Sequence, residues 1–163
     1  MTTGTLLDDL YREILLDHYR QPRNHNSLDA PTCSADGSNP LCGDKVRIDV
    51  AIECDRIAAI SFSGNGCSIS QASASMMTEF VKGRTVAEAR AGIDAFQQMM
   101  VTAEAPGLDG FDDIEALIGV AKFPARVKCA SLAWKTLEQA LAGEDSGIEH
   151  GAVTTDERSA EHD

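Results

Sequence analysis

The sequence predicts an α+β domain in which helices pack on one face of a small three-stranded antiparallel sheet. Polar and apolar residues alternate over residues 45–62, as in strands with one buried face, whereas residues 6–20 and 67–142 repeat apolar residues at helical spacing. The order along the chain is therefore helix, sheet and then helices. Elements in this order bury their apolar faces when the helices collect on one side of the sheet.

The first helix is predicted over residues 6–20 and ends before Pro22, because proline disfavours helical backbone in the residue that precedes it. We interpret His18, on the apolar side of this helix, as a packing residue and not as a metal ligand. The apolar stripe is expected to consist of Leu7, Leu10, Tyr11, Ile14 and His18.

A β-hairpin is predicted over residues 45–62, with Cys54 and Asp55 at its turn. A further short strand before Pro40 would complete the three-stranded sheet. The residues expected to face inward are Val46, Ile48, Val50 and Ile52 on the first hairpin strand and Ala58, Ile60 and Phe62 on the second.

Further helices are predicted after a sharp turn at residues 64–66. One begins at Cys67 and ends at Gly83, and the next begins with a capping box formed by Thr85 and Glu88. A loop over residues 104–112 and a short helix over residues 113–118 precede the last helix, which begins near Pro124. The expected core positions are Ile69, Ala72, Met76 and Phe80, then Val86, Ala89, Ile93, Phe96 and Met100, then Ala130, Trp134, Leu137 and Leu141.

We predict a single domain over residues 1–142 and a disordered acidic tail over residues 143–163. The tail holds seven acidic residues against one arginine and has no aromatic residue, a composition typical of disordered segments.

The formal net charge of −12 makes a nucleic-acid partner unexpected, since such partners bind basic surfaces. No apolar run approaches the roughly 20 residues of a membrane-spanning helix, so no membrane partner is expected. The first residues lack the basic and then apolar pattern of a signal peptide, and the cytoplasm is the expected location.

Three cysteines and an aspartate form the most informative pattern in the chain: Cys42, Asp44, Cys67 and Cys129. Three thiolates and one carboxylate make up a complete tetrahedral ligand set for one zinc ion. Each residue is predicted to lie near the end of an element, and the wide spacing requires a folded domain to assemble the site.

Two alternatives are weighed against this zinc site. Each cysteine of the set is alone compatible with a small buried side chain. Outside the set, we interpret Cys54 as a hairpin-tip residue and Cys33 as a loop or edge-strand residue, both small tolerated side chains. A zinc hydrolase or deaminase is disfavoured, because the sequence has no His-x-Glu, no Cys-x-x-Cys and no evident general base. From the residues alone, the site is either closed and structural or able to release one ligand.

Three motifs of the chain resemble those of the IscU/NifU-type iron–sulfur assembly proteins. The motifs are NPLCGD over residues 39–44, GNGCSISQASASMM over residues 64–77 and FPARVKCA over residues 123–130. They occur in the family's order, and the resemblance covers roughly residues 6–142.

Within that family the chain resembles the SufU branch. IscU scaffolds carry a histidine immediately before the last cysteine, where this chain has Lys128. They also carry Leu-Pro-Pro-Val-Lys, where this chain has Phe-Pro-Ala-Arg-Val-Lys, and their segment between the second and third cysteine motifs is shorter.

The resemblance implies a zinc site of Cys42, Asp44, Cys67 and Cys129. It also implies that the protein accepts persulfide sulfur from a SufS-type, PLP-dependent cysteine desulfurase and stimulates that enzyme. In this family a histidine of the desulfurase takes the place of Cys42 on zinc, so that Cys42 can take up sulfur for downstream Suf scaffold proteins. Arg126 matches a family arginine linked to this exchange and is assigned an auxiliary catalytic role.

A second function stays open, in which the protein is a scaffold on which a [2Fe–2S] cluster is assembled and passed on. Thiolates suit iron as well as zinc, so Cys42, Cys67 and Cys129 would hold the cluster and Asp44 would tune its release.

Overall fold

The computed structural model describes residues 3–40, 43–146 and 153–154. One helix precedes three strands, and further helices follow them. The helices are α1 (Thr3–Arg20), α2 (Ser68–Val81), α3 (Val86–Thr102), a 3₁₀ helix (Ile114–Lys122) and α4 (Pro124–Ser146), and the strands are β1 (Cys33–Asn39), β2 (Asp44–Glu53), β3 (Arg56–Asn65) and β4 (Val153–Thr154).

The predicted three-stranded antiparallel sheet is confirmed. Strand β2 pairs with β1 on one side and with β3 on the other, both antiparallel. The two-residue strand β4, which was not predicted, pairs parallel with β1 and gives the order β3-β2-β1-β4. Helix α4 contacts β1 and β2, and α2 contacts β3, so the helices cover one face of the sheet as expected.

The hairpin turn is found at the predicted residues. Cys54 and Asp55 have φ angles of 52° and 64°, and positive values at both positions are what a two-residue type I′ turn requires. A register shift between Ala51 and Ile52 then adds one residue to β3. Because of this bulge, Ile57 is buried and Ala58 is exposed, so the prediction that Ala58 faces inward is wrong.

Helix α1 begins at Thr3, earlier than predicted, and only part of the predicted stripe faces the protein. Leu10 is 56% exposed, which contradicts its place in the predicted stripe. The helix packs on the core through Ile14, which was predicted, and Leu15, which was not, because it lies against both α2 and the 3₁₀ helix. His18 is fully buried, in agreement with its interpretation as a packing residue.

Local capping groups set the bounds of α2 and α3. Cys67 is the N-cap of α2, and its sulfur accepts a hydrogen bond from the backbone N–H of Ser70. Gly83, with φ of 87°, follows the end of that helix. The capping box of Thr85 and Glu88 is confirmed at the start of α3. The short helix predicted over residues 113–118 is a 3₁₀ helix that extends to Lys122.

Helix α2 lies at the centre of the domain. Eleven of its fourteen residues are buried, far more than the predicted stripe, and Ile69 of that stripe is only half-buried. Small side chains such as Ser73 and Ala74 let α1, α4 and the sheet approach it closely. Trp134 of α4 is fully buried and donates a hydrogen bond from Nε1 to Ser73 Oγ at 3.0 Å.

The predicted acidic tail, residues 143–163, lies largely outside the described residues. Within it, α4 continues to Ser146, whereas helical structure was expected to end at residue 142. A single glycine such as Gly143 weakens a helix by about 1 kcal/mol and does not end it by itself. Val153 and Thr154 pair with β1, and for the remaining tail positions disorder stays a prediction.

None of the helices within residues 3–40 and 43–146 combines the length and the apolar character needed to cross a membrane.

Candidate metal site

Asp44 is placed at one edge of the sheet by the pairing of β1 and β2. It is the first residue of β2, opposite Asn39 at the end of β1, and it is 1% exposed. Its Oδ1 accepts a hydrogen bond from the backbone N–H of Cys67 at 2.9 Å. A buried carboxylate needs such donors, since burying it without partners would be costly.

Cys67 stands at the N-terminus of α2, directly beside Asp44. Its Sγ lies 3.8 Å from Asp44 Oδ2, with the thiol as donor, and accepts from Ser70 N–H at 3.5 Å. The partial positive charge of a helix N-terminus favours a thiolate, which is the form that binds metal.

Cys129 comes to the same place from α4. It is 1% exposed and its thiol donates to the carbonyl of Ala125 at 3.6 Å, one turn earlier in the helix. Asn39 Nδ2 donates to Cys129 Sγ at 3.8 Å, so the end of β1 contacts this ligand candidate directly.

The donor atoms of Asp44, Cys67 and Cys129 all lie within 4.8 Å of one another. Two thiolates on one tetrahedral zinc at about 2.3 Å lie about 3.8 Å apart, so side-chain shifts of about 1 Å bring the three donor atoms within coordination distance. Two sulfurs and one carboxylate oxygen therefore fit a zinc ion that needs one more ligand.

Cys42, the predicted fourth ligand, lies outside the described residues. On either side of it in the sequence, Asn39 pairs with Asp44, and the N–H of Gly43 donates to the carbonyl of Asn39 at 2.9 Å. Two peptide units separate the Cα atoms of Cys42 and Asp44, which limits their distance to about 7.6 Å. The assignment of Cys42 as a ligand stays a prediction.

Arg126, the predicted auxiliary residue, is exposed in the first turn of α4. It lines a cavity of 560 Å³ on the surface, together with Tyr11, Ile69 and Phe123, and this cavity also reaches Ser68 next to Cys67. Phe123 is 60% exposed there. Arg126 is not among the clustered donor atoms, and its auxiliary role stays a prediction.

Sequence reasoning missed two residues that shape the site. Asn39 is fully buried and contacts Cys129, and a Cβ on Gly66 would lie 2.7 Å from Asp44 Oδ1. Asn39 ends strand β1 directly before a proline, and its contact with Cys129 depends on the docking of α4. Gly66 was read only as a turn residue.

A second group of possible donor atoms consists of His18, Glu79 and Asp113, which come from α1, α2 and the residue before the 3₁₀ helix. His18 Nδ1 is 2.8 Å from Ser75 Oγ, and its Nε2 is 3.1 Å from Asp113 Oδ2. Ser75 Oγ also accepts from the N–H of Arg23, so its own hydrogen is available to Nδ1 and Nε2–H is left for Asp113. These hydrogen bonds satisfy both ring nitrogens of the buried histidine and link α1 to α2 and to the start of the 3₁₀ helix.

Residues 10–130 match the family model of the NifU-like N-terminal domain. Because this match spans well over half of the chain, the chain belongs to that family. Among its relatives is the zinc-dependent sulfurtransferase SufU of Bacillus subtilis (strain 168), which is 44% identical over 147 residues that cover 90% of this chain and 99% of the relative.

Another relative is the iron–sulfur cluster assembly scaffold protein IscU of Streptococcus pyogenes serotype M1, 42% identical over 135 residues, with 83% of this chain and 84% of the relative covered. A solved structure of the N-terminal part of a nitrogen-fixing NifU-like protein from Brucella abortus has the same fold, with a TM-score of 0.76 at 24% identity over 85% of this chain and 96% of that one. The predicted membership among SufU-type, IscU/NifU-like proteins is confirmed.

Proposed function

We propose that this protein is a zinc-dependent persulfide sulfurtransferase of iron–sulfur cluster assembly, which accepts sulfur from a SufS-type, PLP-dependent cysteine desulfurase. The observation that carries the proposal is the convergence of Asp44, Cys67 and Cys129 beside the short loop that contains Cys42. The name of the Bacillus subtilis relative, a zinc-dependent sulfurtransferase, supports the same reading.

In this proposal Cys42 is the residue that exchanges. Cys129 is buried and Cys67 is held by α2 and Asp44, so neither can leave the site without disturbing a helix. Cys42 falls in the sequence between Asn39 and Asp44, which pair at the ends of β1 and β2, and connections between strands are in general more mobile than the strands themselves.

The transfer itself is a thiol exchange at sulfur. The Cys42 thiolate attacks the terminal sulfur of the partner's cysteine persulfide, a new S–S bond forms on Cys42, and the partner's cysteine leaves as a thiolate. No net oxidation occurs, because one S–S bond forms as another breaks. The terminal sulfur keeps its charge and becomes the outer sulfur of the new persulfide on Cys42. When bound, zinc would hold Cys42 as a thiolate between transfers.

In this proposal Asp44 completes the ligand set, and Arg126 provides a positive charge at the rim of the site where an anionic persulfide approaches. The exposed position of Arg126 in the surface cavity supports that role. The sulfur then passes to downstream Suf scaffold proteins.

A desulfurase assay with Cys42→Ala tests the proposal. We expect one tightly bound zinc per native chain and strong stimulation of cysteine turnover by a SufS-type desulfurase, with stimulation lost in Cys42→Ala. The matched control is Cys54→Ala, which removes an exposed thiol from the hairpin turn at the far end of β2 and is expected to stimulate normally. Unchanged stimulation by Cys42→Ala would contradict the assignment.

The alternative function, a scaffold for cluster assembly, predicts a different result in the same experiment. The Streptococcus pyogenes relative is named a scaffold, and the donor atoms suit iron as well as zinc. Bound iron with visible cluster absorbance, together with no stimulation of the desulfurase, would favour a scaffold for a [2Fe–2S] cluster.

A further inference from the structure

Each of the three ligand candidates that the structure describes accepts a hydrogen bond from an N–H group. Asp44 Oδ1 accepts from the backbone of Cys67 at 2.9 Å, and Cys67 Sγ accepts from the backbone of Ser70 at 3.5 Å. Cys129 Sγ accepts from the side-chain amide of Asn39, with Nδ2 at 3.8 Å. Any residue except proline would supply the two backbone donors, whereas the third depends on the identity of residue 39.

The position of Cys129 in α4 explains why its donor is a side chain. Cys67 caps the N-terminus of α2, where the first backbone N–H groups have no partners within the helix and can reach its sulfur. Cys129 lies in the second turn of α4, and there the backbone N–H groups bond to carbonyls one turn earlier. The Cys129 thiol itself donates to the carbonyl of Ala125 at 3.6 Å, which leaves the sulfur lone pairs as the acceptor for Asn39.

The backbone on both sides of Asn39 directs its side chain toward α4. Asn39 pairs with Asp44 at the ends of β1 and β2, and its carbonyl accepts from the N–H of Gly43 at 2.9 Å. The residue is fully buried, and burying an amide without partners would be costly. With Nδ2 toward Cys129, the amide presents a donor to an acceptor, whereas the opposite orientation would set its carbonyl oxygen against the sulfur. The fold therefore aims one donor at this ligand candidate.

A donor at this position is important because the site keeps a negative charge when a metal is bound. Two thiolates and one carboxylate already outweigh the two positive charges of a zinc ion. Asp44 and Cys129 are each 1% exposed, so water offsets little of that charge. Hydrogen bonds from N–H groups then stabilise the anionic ligands, and partners of this kind orient a ligand and tune its bond to the metal.

We propose that Asn39 is a positioning residue, whose side-chain amide orients the sulfur of Cys129 and offsets its charge in the metal-bound state. The hydrogen bond draws electron density from the sulfur, so Cys129 stays on the metal and reacts less readily than a thiolate without such a donor. In the proposed transfer Cys42 leaves the metal while Cys129 stays, and Asn39 favours that division. The division rests on the proposed function, whereas the positioning needs only the metal site.

Metal titration of the full chain tests the proposal. Chelator-treated native protein and two variants, Asn39→Leu and Asn39→Ala, are loaded with zinc in competition with a chelator, and with cobalt(II) for absorption spectra. Leucine is close to asparagine in shape but has no donor, and alanine is the smaller replacement in case leucine does not fit the buried position. Urea midpoints of the metal-free proteins show whether each variant is folded.

We expect both variants to bind zinc about 10- to 100-fold more weakly, the usual effect of losing a group that orients a metal ligand. The sulfur-to-cobalt charge-transfer band should move to longer wavelength, because a thiolate without the donor gives up electron density more easily. A merely structural role of Asn39 would lower the urea midpoint and leave the band of the loaded protein in place.

Thr78→Val is the matched control. It removes a buried hydroxyl that accepts from Asn24 Nδ2 at 3.1 Å, about three turns of α2 away from Cys67. We expect this variant to keep the native zinc affinity and the native band position, whatever its loss of stability.

An unshifted band in the loaded Asn39 variants would overturn the proposal and leave the proposed function intact, as would an equal shift in Thr78→Val. A native chain that takes up no zinc would overturn both. Weaker zinc binding and a shifted band, in variants that still stimulate the desulfurase normally, would support the positioning and count against a zinc-dependent sulfur transfer.

Discussion

The contact between Gly66 and Asp44 shows how closely the site is built at the scale of single residues. Asp44 Oδ1 accepts from the N–H of Cys67, and this bond brings the carboxylate against the backbone of Gly66. A methyl group at that position would lie 2.7 Å from Oδ1 and 3.1 Å from Ser70 Oγ. Since the carboxylate is 1% exposed, it has little room to move aside.

We therefore predict that Gly66→Ala weakens zinc binding by roughly 10- to 100-fold, the usual cost of disturbing a group that orients a metal ligand. Zinc affinity measured by chelator competition provides the test. Gly119→Ala is the matched control, because a Cβ on Gly119 meets nothing within 4 Å. Equal affinities in the two variants would mean that Asp44 is not a ligand.

Residues of the site differ in how far the sequence could identify them. Asp44, Cys67 and Cys129 were predicted as partners because thiolates and carboxylates at element ends suit a metal, and the fold brings them together. The contact between Asn39 and Cys129 and the hydrogen bonds of His18 were not predicted. These hydrogen bonds join residues that are 57 to 95 positions apart in the sequence. Such contacts depend on how the helices pack, and no local sequence pattern predicts them.

At the scale of elements, the start of α3 is fixed by a reciprocal pair of hydrogen bonds. Thr85 Oγ1 accepts from the N–H of Glu88, and the Glu88 carboxylate accepts from the N–H of Thr85 at 2.9 Å. The backbone hydrogen bond from Thr85, followed by the side-chain bond, holds the pKa of Glu88 below its ordinary value of 4.5. The charged form of Glu88 is therefore favoured in the folded state.

The sign of the resulting pH dependence follows from that direction. A lowered pKa in the folded state stabilises the protein at every pH above about 4.5, and this contribution is lost as the pH falls through the folded-state pKa. We expect Glu88→Ala to lower the urea midpoint at pH 7, with the gap from the native chain closing below pH 4.5. Asp94→Ala, at an exposed position further along α3, should show no such closing gap.

Elements were predicted well where local chemistry sets their bounds. The N-caps at Cys67 and Thr85, the glycine after α2 and Pro124 at the start of α4 all act within one turn of helix. The orientation of α1 and the inward residue of β3 were predicted less well. Leu10 is exposed because α1 docks on two helices at once, and Ala58 is displaced by a bulge.

At the scale of the whole molecule, a single aromatic cluster joins the helices of the core. The ring of Trp134 stacks on Phe96 with centroids 4.4 Å apart, and Phe111 lies 5.9 Å from it. Trp134 thus links α4 to α3 and to the loop before the 3₁₀ helix. It is also the sole tryptophan of the chain, so its fluorescence reports on this junction alone.

We predict that Trp134 fluorescence and helical circular dichroism follow one coincident urea transition, because sheet and helices share one core. The slope should be about 1–3 kcal/mol per molar urea, as for other small domains. An earlier loss of fluorescence than of circular dichroism would show instead that α3 and α4 separate before the rest of the domain unfolds.

The order and periodicity of the elements in the sequence predicted the α+β class. They also predicted that the helices cover one face of the sheet. The central position of α2 did not, because its serines and alanines resemble the polar face of a surface helix. Only the packed structure shows that Ser70, Ser73 and Ser75 are buried.

The enclosure of α2 restricts the direction from which Cys67 is reached. Neighbouring elements cover the flanks of the helix along most of its length, whereas the half-buried Cys67 caps its N-terminus. Cys67 is therefore approached from the N-terminal end of α2 and not along the flanks of the helix. We expect the rate at which a reagent reaches this thiol to depend on access to that one end of the helix.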